Sequence, residues 1–369
     1  MNQFIYPTCL MIIASILFCT HSKAANLCAT NSNEFQAALD TAESNGEDDH
    51  ITLQQGSYPI INGSPFSYNP DVGEDFDLKI TGGYIDFFGS PCVQIDPNSA
   101  LETELDGMSL NRVLDIRPVG NSKIEIAALY FLAGDATEAI PTRGGGLYIS
   151  GSAHSGVILI ENNAFVANDA QFGSALSASG ADIINVRNNL FIGNSAESGA
   201  AVELVNNLTG MYFTNNTVMT NNTNGTNFNT AAVSLGTGSS TTKAFIANNI
   251  LWNNEFKDLS FTPQTYLYNN DIGTYSGTPF DENGNFSEEP EFQSGLLNFT
   301  PTYTSNLYNQ GIEPPIFVPV PIPFESNWDI GDNDTLGMDR KVNGRVDIGS
   351  FETPPEPPIF MNGFEEINN

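Results

Sequence analysis

Residues 157–192 read VILIENNAFVANDAQFGSALSASGADIINVRNNLFI, and the fold is decided in this stretch. An apolar run, Val157-Ile158-Leu159-Ile160, leads into the pair Asn162-Asn163 and the short run Ala164-Phe165-Val166. A small-residue segment follows, Gly173-Ser174-Ala175-Leu176. The order then begins again with Ile183-Ile184-Asn185-Val186, Asn188-Asn189 and Leu190-Phe191-Ile192. Downstream, Asn215-Asn216-Thr217-Val218 and Asn248-Asn249-Ile250-Leu251 continue the series, so that the Asn pairs recur at intervals of 26, 27 and 33 residues. Between them Gly144-Gly145-Gly146-Leu147, Gly199-Ala200-Ala201-Val202 and Thr230-Ala231-Ala232-Val233 repeat the small-residue segment in the same alternation.

Three short strands with polar turns between them consume roughly the 20–30 residues of one solenoid coil. A hairpin meander needs tight two-residue turns, which this spacing lacks. Coils stacked about 4.8 Å apart bring like residues into ladders, with Val, Ile, Leu and Phe inside. Asn at a sharp corner tolerates left-handed backbone angles and bonds to the Asn of the next coil, while Gly and Ala permit close approach. The expected fold is therefore all-β, a right-handed parallel β-helix solenoid, and the expected role of these Asn and Gly residues is structural.

Towards the N-terminus, residues 33–42 (NEFQAALDTA) place Phe35, Ala38, Leu39 and Ala42 at helical spacing behind Ser32 or Asn33 as cap. Ile51-Thr52-Leu53 follows, so a helical cap is expected to shield the first coil from edge pairing. Residues 9–18 (CLMIIASILF) form an apolar core of signal-peptide length, too short to span a bilayer, with Ser22 and Ala24 as small residues before a cleavage point. The expected division is 1–24 signal peptide, 25–110 cap and first coils, 111–275 regular coils, 276–352 closing region, and 353–369 Pro-rich linker and short tail. Pro residues crowd 312–324 (IEPPIFVPVPIPF), which is unsuited to a central strand and reads as a surface loop. Cleavage after Ala24 removes Cys9 and Cys19 and leaves Cys28 and Cys92, expected to form one disulfide in an exported chain.

The composition holds 43 Asp and Glu against 12 Lys and Arg, a net charge of −31. Such a field excludes nucleic acid and anionic lipid as natural partners and favours a monomer. No segment of the mature chain is long and apolar enough to be a transmembrane helix.

Several segments resemble secreted bacterial right-handed parallel β-helix proteins that end in a choice-of-anchor Q region. The resemblance rests on Thr81-Gly82-Gly83-Tyr84 with Cys92, Leu105-Asp106-Gly107, Asn248-Asn249-Ile250-Leu251-Trp252-Asn253-Asn254 with Asp258-Leu259, and Arg340 through Asp347-Ile348-Gly349-Ser350-Phe351-Glu352. The repeats are also similar to those of polymorphic outer-membrane adhesins, and residues 359–365 resemble a short sorting tail. The resemblance implies a secreted, extracellular or outer-surface location. It assigns no single activity.

Lyases of this fold need a basic residue beside acidic Ca²⁺ ligands. Arg143, Arg187 and Lys243 are the candidate basic residues of the repeat region, and His50 and His154 the histidines of the mature chain. Neither histidine sits in a Gly-His-Gly setting, and no Gly-x-Ser-x-Gly elbow is present. Asp329, Asp332, Asp334 and Asp339 crowd one segment and are the candidate metal ligands, with Ca²⁺ the one candidate cofactor. Tyr130, Tyr148, Tyr212 and Trp252 are candidates for stacking on sugar rings. The expected function is noncatalytic binding of a polysaccharide, a cell-surface glycan or another surface, in the manner of an adhesin. The alternatives are a polysaccharide lyase or glycosidase and a passive structural module.

Overall fold

Three parallel sheets run the length of the molecule, as seen in a computed structural model that describes residues 24–94, 100–151, 153–206, 208–223, 231–262, 264–295, 297–313, 328–342 and 344–356. The first sheet stacks Ala25–Ala29, Asp49–Gln54, Leu78–Phe87, Lys123–Ala127, Val157–Glu161, Ile183–Arg187, Gly210–Thr214, Lys243–Ala247, Thr265–Tyr268 and Asp281–Asn283. The second runs from Gly56–Pro59 through Thr103–Asp106, Tyr130–Leu132, Ala164–Val166, Leu190–Ile192, Thr217–Met219 and Ile250–Trp252 to Asp271–Ile272. The third runs from Phe66–Tyr68 through Leu114–Ile116, Leu147–Ser150, Leu176–Ser179, Val202–Asn206, Val233–Thr237 and Leu259–Phe261 to Tyr275–Ser276. The chain visits the sheets in the order first, second, third, once per coil, and is a right-handed parallel β-helix.

Register explains why the repeat has to be so regular. Ile158 pairs with Ile184, Ile184 with Met211 and Phe165 with Phe191, so inward residues of successive coils meet face to face. Phe131, Phe165 and Phe191 stack with centroids 4.6 and 4.8 Å apart, nearly coplanar. These side chains are fully buried, and no single coil could shield them alone.

The two asparagines of each pair divide the corner between them. The first takes the left-handed conformation, with φ of 55°, 54°, 55° and 58° at Asn162, Asn188, Asn215 and Asn248. The second points inward. Asn163, Asn189, Asn216, Asn249 and Asn270 form a ladder in which each backbone N–H and side-chain Nδ2 donates to the Oδ1 of the next, ending on Asn285. A second inward ladder, Asn168-Asn194-Asn221-Asn254, follows the same rule at the other end of the second sheet and ends on Asp258. Its rungs are preceded by Ala167, Gly193, Thr220 and Asn253, all at positive φ. The sequence reading missed this second series, although it recurs at the same intervals as the first.

At the N-terminal end, the helix Ser32–Ala42 buries Phe35, Ala38, Leu39 and Ala42 over the first coil. Its cap is Asn31, one residue before the expected Ser32, because the Asn31 Oδ1 accepts the Glu34 N–H at 3.1 Å. Cys28 and Cys92 are bonded, across a separation of 64 residues. This ties the first strand to the Ser90–Val93 arm of a hairpin with Leu78–Phe87. Closing a loop of that length constrains the unfolded chain by about 4 kcal/mol. Cys92→Ala is therefore expected to shift the urea unfolding midpoint downward by a corresponding amount, with reductant then having no further effect.

The closing region leaves the solenoid and folds back along its side. Gly349 N–H donates to the Asn248 carbonyl at 2.8 Å, Ser350 N–H to Thr217 Oγ1 at 3.0 Å, and Thr335 Oγ1 to the Asn188 carbonyl at 2.7 Å. Asn188 and Asn248 donate in turn to the carbonyls of Ile330 and Ile312. The first asparagines of the corners thus serve as the docking rail. Most of the Pro-rich stretch, like residues 1–23 of the expected signal peptide and the tail from 357, lies outside the described residues.

Candidate functional site

The closing region covers two of the three sheets and leaves the third. Ile312, Trp328 and Ile330 pack on the outward residues Tyr212, Phe245 and Tyr266 of the first sheet. Phe299, Leu336 and Phe351 pack on Tyr130, Ala164 and Leu190 of the second, and Leu307 and Ile348 on Ile250 and Trp252. None of these clusters among the described residues contains an outward residue of the third sheet.

The outward row of the third sheet is Ser67, Asp115, Tyr148, Ser177, Glu203, Ser234 and Ser260, each paired with the next across the ladder. Each lies between two inward apolar residues, as in Leu114-Asp115-Ile116 and Val202-Glu203-Leu204, which is why the alternation turns it to the surface. Three arginines frame the row. Arg112 and Arg117 both bind the Asp115 carboxylate, at 2.6 and 3.0 Å. The Arg112 guanidinium lies over the Tyr148 ring at 4.6 Å, and Arg143 over Phe172 at 4.6 Å. Arg143 also pairs with Glu203, which accepts a hydrogen bond from Ser177 Oγ. Arg112 further donates to the carbonyls of Pro141, Arg143 and Gly144, so it braces the loop while Arg117 and Arg143 remain partly exposed. Burial lowers the Arg112 pKa, with Asp115 opposing, and the hydrogen bond to Asp115 raises that of Arg117.

The aromatic candidates are not bare. Tyr212 is 1 % exposed and stacks at 5.0 Å on Phe245, which stacks at 5.0 Å on Tyr266. Tyr130 and Trp252 pack against the closing region, and Tyr148 lies beneath Arg112. The apolar faces that sequence reading left open for sugars are occupied by the chain itself.

Two of the four carboxylates expected to hold Ca²⁺, Asp329 and Asp334, are bonded to groups of the protein. Asp334 is fully buried, and its Oδ1 accepts the N–H groups of Leu336 and Met338 while its Oδ2 accepts that of Glu352. Asp329 pairs with Arg187 and caps the Gly331 N–H. Asp332 and Asp339 line, with Arg187, Arg340 and Lys341, a cleft of about 580 Å³. Arg187 ends its strand just before the corner pair, where it is buried and clamped between Glu161 at 2.6 Å and Asp329. Among the described residues no group of three or more His, Cys, Asp or Glu converges as a metal site.

The histidines are structural in their surroundings. His154 is buried with its ring nitrogens 2.7 and 3.1 Å from the carbonyls of Ser122 and Gly180. His50 meets Thr81 Oγ1, and its pKa is lowered by burial and by Lys79. Sequence reading singled out Tyr148 and Arg143 but missed Arg112, Asp115, Arg117, Phe172, Ser177 and Glu203. The available signal was a lone polar residue between apolar ones at the same place in each third strand.

No family model matches the chain, and neither does any curated protein or solved structure. Function is therefore argued from the chemistry of the residues.

Proposed function

We propose that this is a secreted, noncatalytic surface protein that binds an uncharged glycan along the outer face of its third sheet. The observation that carries the reading is the outward row from Asp115 to Ser260 with its framing arginines, on which no described residue of the closing region packs; Glu203, Ser234 and Ser260 are partly exposed, while Asp115, Tyr148 and Ser177 are buried. The row offers hydroxyls, carboxylates and guanidinium edges at steps of about 4.8 Å, suited to an extended polyhydroxyl chain. Its framing charges pair to leave one net positive, two guanidiniums on Asp115 and Arg143 on Glu203, and the chain's net charge of −31 favours a neutral ligand over a uronate.

Geometry also argues against hydrolysis on this face. Asp115 and Glu203 stand three strand steps apart, about 14 Å, beyond the roughly 5–9.5 Å that glycosidase carboxylates require. The resemblance to secreted β-helix proteins supports the location.

Ser234→Arg places a bulky cation on the partly exposed end of the row, between Glu203 and Ser260, without touching the core. The expected result is a loss of glycan binding of at least about ten-fold on a neutral-glycan panel, with an unchanged melting transition. Release of reducing ends or unsaturated uronides from any polysaccharide by the native protein overturns the reading, as does unaltered binding by the variant.

A further inference from the structure

The last strand of the second sheet, Asp271–Ile272, turns a carboxylate outward into the seam beneath the closing region. Asp271 pairs in register with Ile250 and is 1 % exposed. Its Oδ1 accepts the Glu288 N–H at 3.1 Å, while its Oδ2 is buried with no hydrogen-bond partner. Both face a small cavity of about 60 Å³ lined by Phe286, Glu288, Glu289, Glu291 and residues 304–307.

Every titratable group facing Asp271 is acidic. Glu288, Glu289 and Glu291 come from the closing segment and Asp258 from the preceding coil; among the described residues no Lys, Arg or His lines the cavity. Glu288 is held by Asn306 Nδ2, Glu291 by Thr302 and Thr304, and Asp258 by Asn254 and Thr274. A buried carboxylate in such company must be neutralised. A metal ion would need three convergent ligands, and none converge among the described residues. A proton needs only the unpartnered Oδ2.

We propose that Asp271 is a proton-operated latch, holding residues 286–307 on the last coils when protonated and releasing them as it ionises. Burial raises its pKa to about 7 against the opposing hydrogen bond from the Glu288 N–H, with the Glu288 and Asp258 charges adding to the rise. The sign follows. The docked carboxyl holds its proton up to about 7 while a released one ionises near 3.9, so docking is strongest in acid and weakens from about pH 4 to about pH 7. Release would take Leu307 out of the cluster it shares with Ile250, Trp252 and Ile348.

Hydrogen exchange on the full chain in EDTA, corrected for intrinsic rates, tests this between pH 4.5 and 7.5. In the native protein, protection of residues 286–307 is expected to fall by about a hundred-fold. In Asp271→Asn, whose Oδ1 still accepts the Glu288 N–H, protection stays high and flat. A flat native profile, or the same slope in the variant, overturns the proposal. So does restoration of native protection at pH 7.5 by Ca²⁺, which would make a cation the neutralising agent. The Asp271 carboxyl carbon resonance reads the same group without any substitution: titration near neutrality supports the latch, and titration near pH 4 overturns it.

Discussion

Asn189→Ala is expected to lower the unfolding free energy by about 4 kcal/mol, measured by urea denaturation. Asn189 is fully buried, and its Nδ2 donates to the carbonyls of Ile160 and Arg187 and to Asn216 Oδ1. Its Oδ1 accepts from both the backbone and the side chain of Asn163. Alanine removes this amide and leaves the Asn163 N–H, the Ile160 carbonyl and the Asn216 Oδ1 short of partners in an apolar interior. Each such group costs about 1–3 kcal/mol. The neighbouring pair supplies the control. Asn162 sits at φ 55° with its side chain outside the ladder, so Asn162→Gly keeps the corner and is expected to change stability by no more than about 0.5 kcal/mol. Equal effects at the two positions would remove the ladder from the account of why the coils stack.

The second large effect is expected at Arg340, which is 1 % exposed in the closing region. Its Nη2 lies 3.1 Å from the Glu352 carboxylate, itself 1 % exposed, and donates to the Asp347 carbonyl. Asp347 is equally buried and binds the Asn309 and Thr353 N–H groups. Removing the guanidinium with Arg340→Met leaves these carboxylates uncompensated, at a cost of about 3–5 kcal/mol. Burial raises the Glu352 pKa to about 8 with Arg340 pulling it down. That carboxyl's contribution is whole below about 4.5 and is lost as pH rises through 8, so the variant should suffer more at pH 8 than at pH 5. Limited proteolysis is expected to cut residues 300–353 first while the coils stay resistant. A variant whose closing region resists protease as the native one does, at both pH values, would sink the prediction.

The same region shows how a motif can be visible while its role is not. Gly349 adopts φ 102°, and a Cβ there would lie 2.5 Å from Ile250 Cδ1. The Asp347-to-Glu352 motif was legible as a closing signature, but its seat on Ile250 and Thr217 joins residues some 130 positions apart. Likewise the partners of Asp329 and Asp334, Arg187 and a set of backbone amides, could not be read from the spacing of the four aspartates. Tyr212 and Trp252 looked like open stacking surfaces because local alternation reveals which residues point outward, not what lies over them.

The amino-acid order by itself determined the coil, the capping helix, the disulfide and the first asparagine ladder. Each is written either in a local pattern, in a repeat that stacking turns into contact, or in the two cysteines left by the expected cleavage. Only the tertiary structure decided which outward rows the closing region packs on, that Arg112 meets Asp115 and Arg143 meets Glu203, and that Asp271 is sealed among acids. Those outcomes depend on how a non-repeating segment lies across coils far away in the chain, and no period carries that information.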